Sequence, residues 1–489
     1  MNGISGGSTQ AARDDMIFAD ATALSEAIAT RQISCVEVMR TYLGRIRRFN
    51  PVHNAIISMR DEDVLMAEAA DADADLAAGR HRGWMHGFPL AVKDLTATAG
   101  IPTTFGSPLF ADNVPTQDCL MVRRMRAAGA IVIGKTNTPE FGLGSHTYNP
   151  LHGLTRNAWK PELSAGGSSG GAAVSLALGM QPVADGSDMM GSLRNPGAFN
   201  NVLGLRPSLG RVPAGPKPEM FVHQLGVNGP MARSVRDLAH LLDIQSGFEP
   251  AAPLSFAAPE TPFADCLEGG VNGLRIGWIG DWDGYYPCED GILDLCSRGV
   301  EQFAALGAVV EPLIPDFAPD RLWTTWTTLR HWSVAGSHAA FLANPETRNL
   351  MKPELVWEVE KGLTLSALDI HQASVARSEW FQCLIGLFTR YDAVALPTAQ
   401  VFPFDAKIAW PDRIAGRAMD TYHRWMEIVI AGSLSSCPSI NLPAGFDPSG
   451  RPTGFQLIGR PRGEQQLLQM AARYEEATDW LSMRPAGAL

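Results

Sequence analysis

No stretch of the 489 residues approaches the roughly 20 consecutive apolar residues that a membrane-crossing helix needs. The N-terminus lacks a charged region followed by an apolar core, so no Sec-type signal is expected and a cytoplasmic location is. Cysteine is sparse. There are seven, at 35, 119, 266, 288, 296, 383 and 437, an odd number with no C-x-x-C spacing. In a chain of this length that argues against a disulfide framework and for a reducing compartment. Positive charge is in deficit: 40 Lys and Arg face 51 Asp and Glu, a net −11. Such a chain gains nothing from phosphate attraction, so neither nucleic acid nor a membrane is an expected partner. Basic residues gather only in doublets such as Arg47-Arg48, the usual mark of a solvated helix face. No H-E-x-x-H and no paired Cys/His spacing is present, so no metal and no cofactor is expected. There is no internal repeat.

What is present is ordinary globular material, 45% hydrophobic and 19% charged. At roughly 100–200 residues per domain the length admits several domains or one large α/β domain. Residues 1–15, rich in Gly and Ser, read as a mobile tail ahead of 16–489. Apolar residues at helical spacing over 23–50 predict two helices separated near Arg31–Ser34, with Ser34 as N-cap. Another helix is expected over 61–79. Pro89–Lys93 reads as a short strand entering a loop. A helix over 118–129 then leads into the buried strand AIVIGKTN. This helix-to-strand rhythm implies an α/β sheet covered on both faces. Strands are expected at 393–398, 439–446 and 454–459, and a closing amphipathic helix at 463–478. Residues 247–272 read as a surface connection. Residues 317–390 are tryptophan-rich, in helical surroundings.

Three stretches carry groups able to do chemistry. Ser164-Ala-Gly-Gly-Ser168-Ser169-Gly-Gly171 sets two serines among four glycines, just before a helix. Glycine lets other groups approach the backbone closely, and a helix N-terminus offers unpaired N–H groups. A phosphate loop would need a lysine that is missing. The run satisfies G-x-S-x-G, but residues 157–163 before it read as a loop, not the strand that a nucleophile elbow requires. Taken alone, the run is an ordinary turn. Gly186-Ser-Asp188-Met189-Met190-Gly191-Ser192-Leu-Arg194-Asn-Pro196 places another serine behind a tight turn, flanked by Asp188 and Arg194. Successive N–H groups in such a turn can converge on one anion. Lys93 closes an apolar strand, where desolvation favours the neutral amine.

Together these stretches resemble the amidase signature family, notably bacterial aryl-amidases and urethanases. The serines at 168 and 192 stand 24 positions apart, as the family's pair does. Gly134–Asn137, Thr155–Asn157, Gly204–Val212, Leu442–Gly445 and Gly454–Pro461 add to the match, which covers roughly residues 20–245 and 390–480. The resemblance implies a single α/β/α catalytic domain over 16–489 around a large mixed, mostly parallel sheet, with Ser192 as nucleophile, Ser168 as the bridging serine after a cis Gly167–Ser168 bond, and Lys93 as base. It implies an oxyanion hole from the N–H groups of Met189, Met190, Gly191 and Ser192. Ser169, Asp188 and Arg194 would support these groups, and Phe141 and Gly142 would contact substrate. Two positions depart from the pattern: Met190-Gly191-Ser192 replaces the usual Gly-Gly-Ser, and Ala158 stands where proline is common. The methionine leaves the backbone donors intact and bears on substrate range instead.

His146 and His152, in a loop that by resemblance borders the site, read as hydrogen-bonded loop residues or pocket wall. The tryptophans of 317–390 read as packing residues, or as an aromatic roof over the substrate pocket. The expected activity is hydrolysis of small or aryl amides. The alternatives are carbamate (urethane) hydrolysis by the same relay and, less favoured, service as an amidotransferase subunit that passes ammonia to a tRNA-linked substrate. Scaffolding without catalysis would have no use for the relay residues.

Overall fold

The computed structural model describes residues 20–488; the tail expected at 1–15 lies outside them. Helices Ala21–Ala29 and Cys35–His53 match the apolar spacing. Ser34 caps the second through a reciprocal pair: its hydroxyl accepts from Glu37 N–H at 3.1 Å, and Glu37 accepts from Ser34 N–H at 3.0 Å. Helix Glu62–Ala77 begins at Asp61, whose carboxylate takes two first-turn N–H groups.

Strands Pro89–Lys93 and Ile131–Thr136 pair in parallel, joined by a crossover containing helix Leu120–Ala127. Ile56–Ile57 adds a short antiparallel strand. The larger sheet has eight strands, in the order Val309–Pro312, Arg275–Trp278, Ala393–Pro397, Pro452–Gly459, Ser439–Phe446, Leu203–Arg206, Val227–Ala232, Ala184–Asp188. It is mixed, as expected, but its centre is more antiparallel than the mostly parallel sheet that the resemblance implies. Parallel pairing is confined to the first three strands, where helix Ile292–Ala305 supplies a crossover. The remaining ladders are antiparallel. The chain dictates this locally: Ser439–Phe446 and Pro452–Gly459 are joined by a turn too short for a crossover, closed by Asp447 N–H on the Arg451 carbonyl at 3.0 Å.

The two sheets meet where side chains stand in for a backbone ladder. Gln181 accepts the Ala91 N–H at 2.8 Å, and Asp185 accepts the Lys93 N–H at 3.1 Å. This seam sets Lys93 beside the end of Ala184–Asp188. Helix Gly170–Ala177 is buried along its whole length. Residues 319–387 form four helices, Pro319–Ala343, Pro345–Arg348, Pro353–Leu363 and Ala367–Leu387, over a second hydrophobic cluster that includes Trp326, Trp380 and Trp425. No helix among the described residues is long and apolar enough to cross a membrane. All seven cysteines are free.

Candidate active site

The Lys93 side chain is fully buried. Its Nζ lies 2.8 Å from Ser168 Oγ, 2.8 Å from Ser169 Oγ and 3.0 Å from Ser187 Oγ. Burial pushes the ammonium down to about 7 from its ordinary 10.5, with the Asp185 and Asp188 carboxylates acting in the opposite sense. Asp185 is itself pushed up by burial to about 6, against the Lys93 N–H and the lysines at 135 and 93. A lysine half neutral near pH 7, touching three hydroxyls, is equipped to accept a proton.

The composition of the glycine-rich run follows from close approach. A Cβ on Gly170 would fall 2.2 Å from Thr147 Oγ1, so the helix could not dock beside the 145–147 segment with any other residue there. That segment grips the loop in return: Ser145 Oγ donates to the Gly167 carbonyl at 2.5 Å and Thr147 Oγ1 to that of Gly166 at 2.8 Å. The Gly167–Ser168 peptide is cis, the arrangement that the family resemblance implies.

The second loop is built on Asp188. Its carboxylate accepts the N–H groups of Gly191 at 2.9 Å and Leu193 at 3.3 Å. It is clasped by Arg194 through Nε at 3.0 Å and Nη2 at 3.1 Å, and by Arg206. All three side chains are buried. Burial alone would raise the Asp188 carboxyl; the two guanidiniums and the Gly191 N–H outweigh it and hold the group well below the usual carboxylate range. This corrects the expected oxyanion hole at Gly191, whose N–H is already given to Asp188. The N–H groups of Met189, Met190 and Ser192 have no protein acceptor among the described residues. Gly191 is needed for shape: φ is +78°, and a Cβ would meet Val429 at 2.9 Å.

Ser168 and Ser192 line one cleft of about 570 Å³, with Phe141, Gly142, Leu143, Met189, Met190 and Met426 among its walls. The Ser192 hydroxyl makes no hydrogen bond to protein among the described residues, which leaves it free toward the cleft. Gly142 packs on Ser168: a Cβ there would come within 3.3 Å of Ser168 Oγ. The Phe141 ring stacks on Phe105 at 6.2 Å.

One face of Pro319–Ala343 covers the cleft through Arg330, Ser333, Val334, Ser337 and His338. The tryptophans do not line it, contrary to the aromatic-roof expectation. Trp323 and Trp326 stack on each other at 5.8 Å and stand edge-on to His423. Trp357 and Trp410 open on a separate cavity of about 330 Å³ beside Tyr422. Trp326 and Trp380 are fully buried in the second hydrophobic cluster instead, where large rings remove the most surface from water. His146 and His152 are held structurally. Ser164 Oγ sits 2.8 Å from His146 Nδ1 with the Ala406 carbonyl 3.1 Å from Nε2, and Thr104 Oγ1 lies 3.2 Å from His152 Nε2. Burial pushes His146 down to about 4.

Sequence reasoning missed Ser187, although it sits inside the quoted motif between Gly186 and Asp188. Arg206 lies in the matching Gly204–Val212 stretch but was given no role there, and Arg330 and His338 were missed. Arg330 donates to Glu358 at 2.5 Å and Tyr422 at 2.7 Å, and its Nη1 reaches Met189 Sδ at 3.3 Å. No local motif marks a network assembled from positions 189, 330, 358 and 422. Among the described residues, no group of three or more His, Cys, Asp or Glu could hold a metal ion.

Residues 37–468 match the family model described as Amidase. The chain belongs to the amidase signature family. It is 33% identical to an acylamidase of Rhodococcus erythropolis over 96% of this chain and 97% of that one. It is 32% identical to a glutamyl-tRNA(Gln) amidotransferase subunit of Methylococcus capsulatus, over 95% and 98%. Among solved structures, a bacterial aryl acylamidase of the same family superposes with a TM-score of 0.89 at 28% identity, covering 96% of this chain and 98% of that one. A 6-aminohexanoate cyclic dimer hydrolase follows at 0.84 and 26%, covering 96% and 99%. As a member of this amidase family, the chain is a hydrolase acting on amide C–N bonds.

Proposed function

We propose that the protein hydrolyses small and aryl amides through an acyl-enzyme on Ser192. The observation that carries this reading is the buried Lys93 amine, lowered toward neutrality and 2.8 Å from the Oγ of Ser168, which lines the same cleft as Ser192. Neutral Lys93 takes the Ser168 proton as Ser168 takes that of Ser192. Ser192 attacks the carbonyl carbon. The developing oxyanion is received by the N–H groups of Met189, Met190 and Ser192, while Asp188 and its two arginines keep their loop in shape. The proton returns through Ser168 to the leaving nitrogen, and water activated by the same relay releases the acyl group. Ser169 and Ser187 steady the amine. The acylamidase and aryl acylamidase relatives support amides as the substrate class.

Activity should follow the Lys93 amine. The base works only unprotonated, so kcat/KM for an anilide is expected to rise with pH through a midpoint near 7 and level off above about 8. A rate that is flat from pH 5.5 to 9 would remove Lys93 from the role of base.

The substrate class is tested with 4-nitroacetanilide and ethyl N-(4-nitrophenyl)carbamate, which release the same chromophore. Preference for the anilide is the expected result. Equal or better carbamate turnover would make this a urethanase using the same relay. Cleavage of neither would favour the amidotransferase reading, to be checked by co-purification of partner subunits.

A further inference from the structure

The relay makes no use of His338. It lies on the Pro319–Ala343 helix, two turns beyond Arg330, and lines the same cleft. Its Nδ1 is 2.9 Å from the Val334 carbonyl oxygen, one turn back. A carbonyl only accepts, so Nδ1 carries the hydrogen and the neutral ring keeps Nε2 as a bare acceptor. Burial lowers the imidazolium below its ordinary 6.5, only partly offset by the Val334 carbonyl, so the ring is neutral at pH 7. Among the described residues Nε2 has no hydrogen-bond partner in the protein, and it is not among the buried atoms sealed without one. Of the cleft's other charged side chains, Arg330 and Lys217 only donate, and the Asp188 carboxylate is taken up by Arg194 and Arg206.

The position of His338 says which part of a substrate it meets. Its ring stands edge-on to Phe141 with centroids 4.5 Å apart. Phe141 precedes Gly142, which packs on Ser168. Moving away from the serines along this wall, one meets Ser168, Gly142, Phe141 and then His338. In the reaction proposed above, on which this inference rests, Ser168 returns the proton to the leaving nitrogen. The leaving group therefore lies on this wall. A planar leaving group resting on Phe141 turns its far edge toward His338.

We infer that His338 Nε2 reads the leaving group, so that the cleft favours aryl amides whose ring carries a hydrogen-bond donor, a hydroxyl or amino group, beyond the scissile nitrogen. His338 is thus a specificity-determining residue, outside the proton relay.

The test compares 4-hydroxyacetanilide with 4-methylacetanilide, which match in size but differ in the donor, by chromatography of the amines released. The wild type is expected to favour the hydroxyl substrate, and His338→Phe to lower that preference about tenfold, the worth of one neutral hydrogen bond. His338→Gln, which restores an acceptor, is expected to recover most of it. The readout is the hydroxyl-to-methyl ratio within each variant, which divides out any change common to both substrates and which a purely structural role for His338 would not move. An unchanged hydroxyl-to-methyl ratio in a folded, active His338→Phe overturns this assignment alone. If the wild type cleaves neither anilide, the amide reading itself fails, and this assignment with it.

Discussion

Ser192→Ala is expected to lower kcat/KM for 4-nitroacetanilide by about 10⁴–10⁶-fold, the range for removing a nucleophile that acts as part of a unit. It should leave the thermal midpoint where it was, because the Ser192 hydroxyl makes no hydrogen bond to protein among the described residues and lines the cleft. Loss of activity without loss of fold separates this serine from its neighbours. Ser168→Ala removes a hydroxyl that Lys93 holds at 2.8 Å, and should also inactivate. Ser169→Ala deletes a second contact of the same amine yet leaves the path from Lys93 through Ser168 to Ser192 intact, so its loss should be much smaller. The double variant of Ser168 and Ser192 should be little worse than either single one, since residues acting as a unit are not additive. Parallel kcat/KM measurements on the four variants, with melting curves, check this ordering. Activity that survives Ser192→Ala would end the acyl-enzyme mechanism.

Much of this site could be read from the sequence because its members are close in the chain or fixed by local chemistry. Ser34 announced a helix start, which its reciprocal pair with Glu37 realises. The apolar Pro89–Val92 announced a strand that buries the lysine at its end. The glycine run implied close backbone approach, which Gly170 and Thr147 realise. The parts that could not be read depend on contacts across the fold. Nothing in Asp188-Met-Met-Gly191 says that the carboxylate will turn back and take the Gly191 N–H, because that turn is closed by arginines at 194 and 206 and by the strand behind them. Likewise the tryptophans of 317–390 had the right composition for a pocket wall. Their direction was set by His423, Tyr422 and Trp425, which lie far beyond them in the chain. The antiparallel centre of the sheet was hidden for the same reason: sequence periodicity gives a strand's faces, whereas its neighbours are chosen by the whole chain.

The largest stability effect is expected from Arg194→Met. The guanidinium is fully buried and directs its donors to Asp188, the Val429 carbonyl at 3.1 Å, Ser433 Oγ at 2.8 Å and Gln456 Oε1. Methionine fills part of the space but strands those acceptors and leaves Asp188 with Arg206 as its remaining ionic partner. Breaking a buried pair in this way costs about 3–5 kcal/mol. Urea unfolding should show it as a lower midpoint with an unchanged slope. Arg47→Ala is the control: Arg47 and Glu62 are paired but more than half and nearly half exposed, and the loss should stay within about 1 kcal/mol. The cluster also sets an acid dependence. Because Asp188 is held below its ordinary 3.8 in the folded protein, its contribution is complete above that value and declines as the pH falls below it toward the lower folded value. In Arg194→Met the depression is smaller, so this part of the acid dependence should shrink. A variant as stable as wild type would mean that Arg206 alone anchors the loop carrying Met189, Met190 and Ser192.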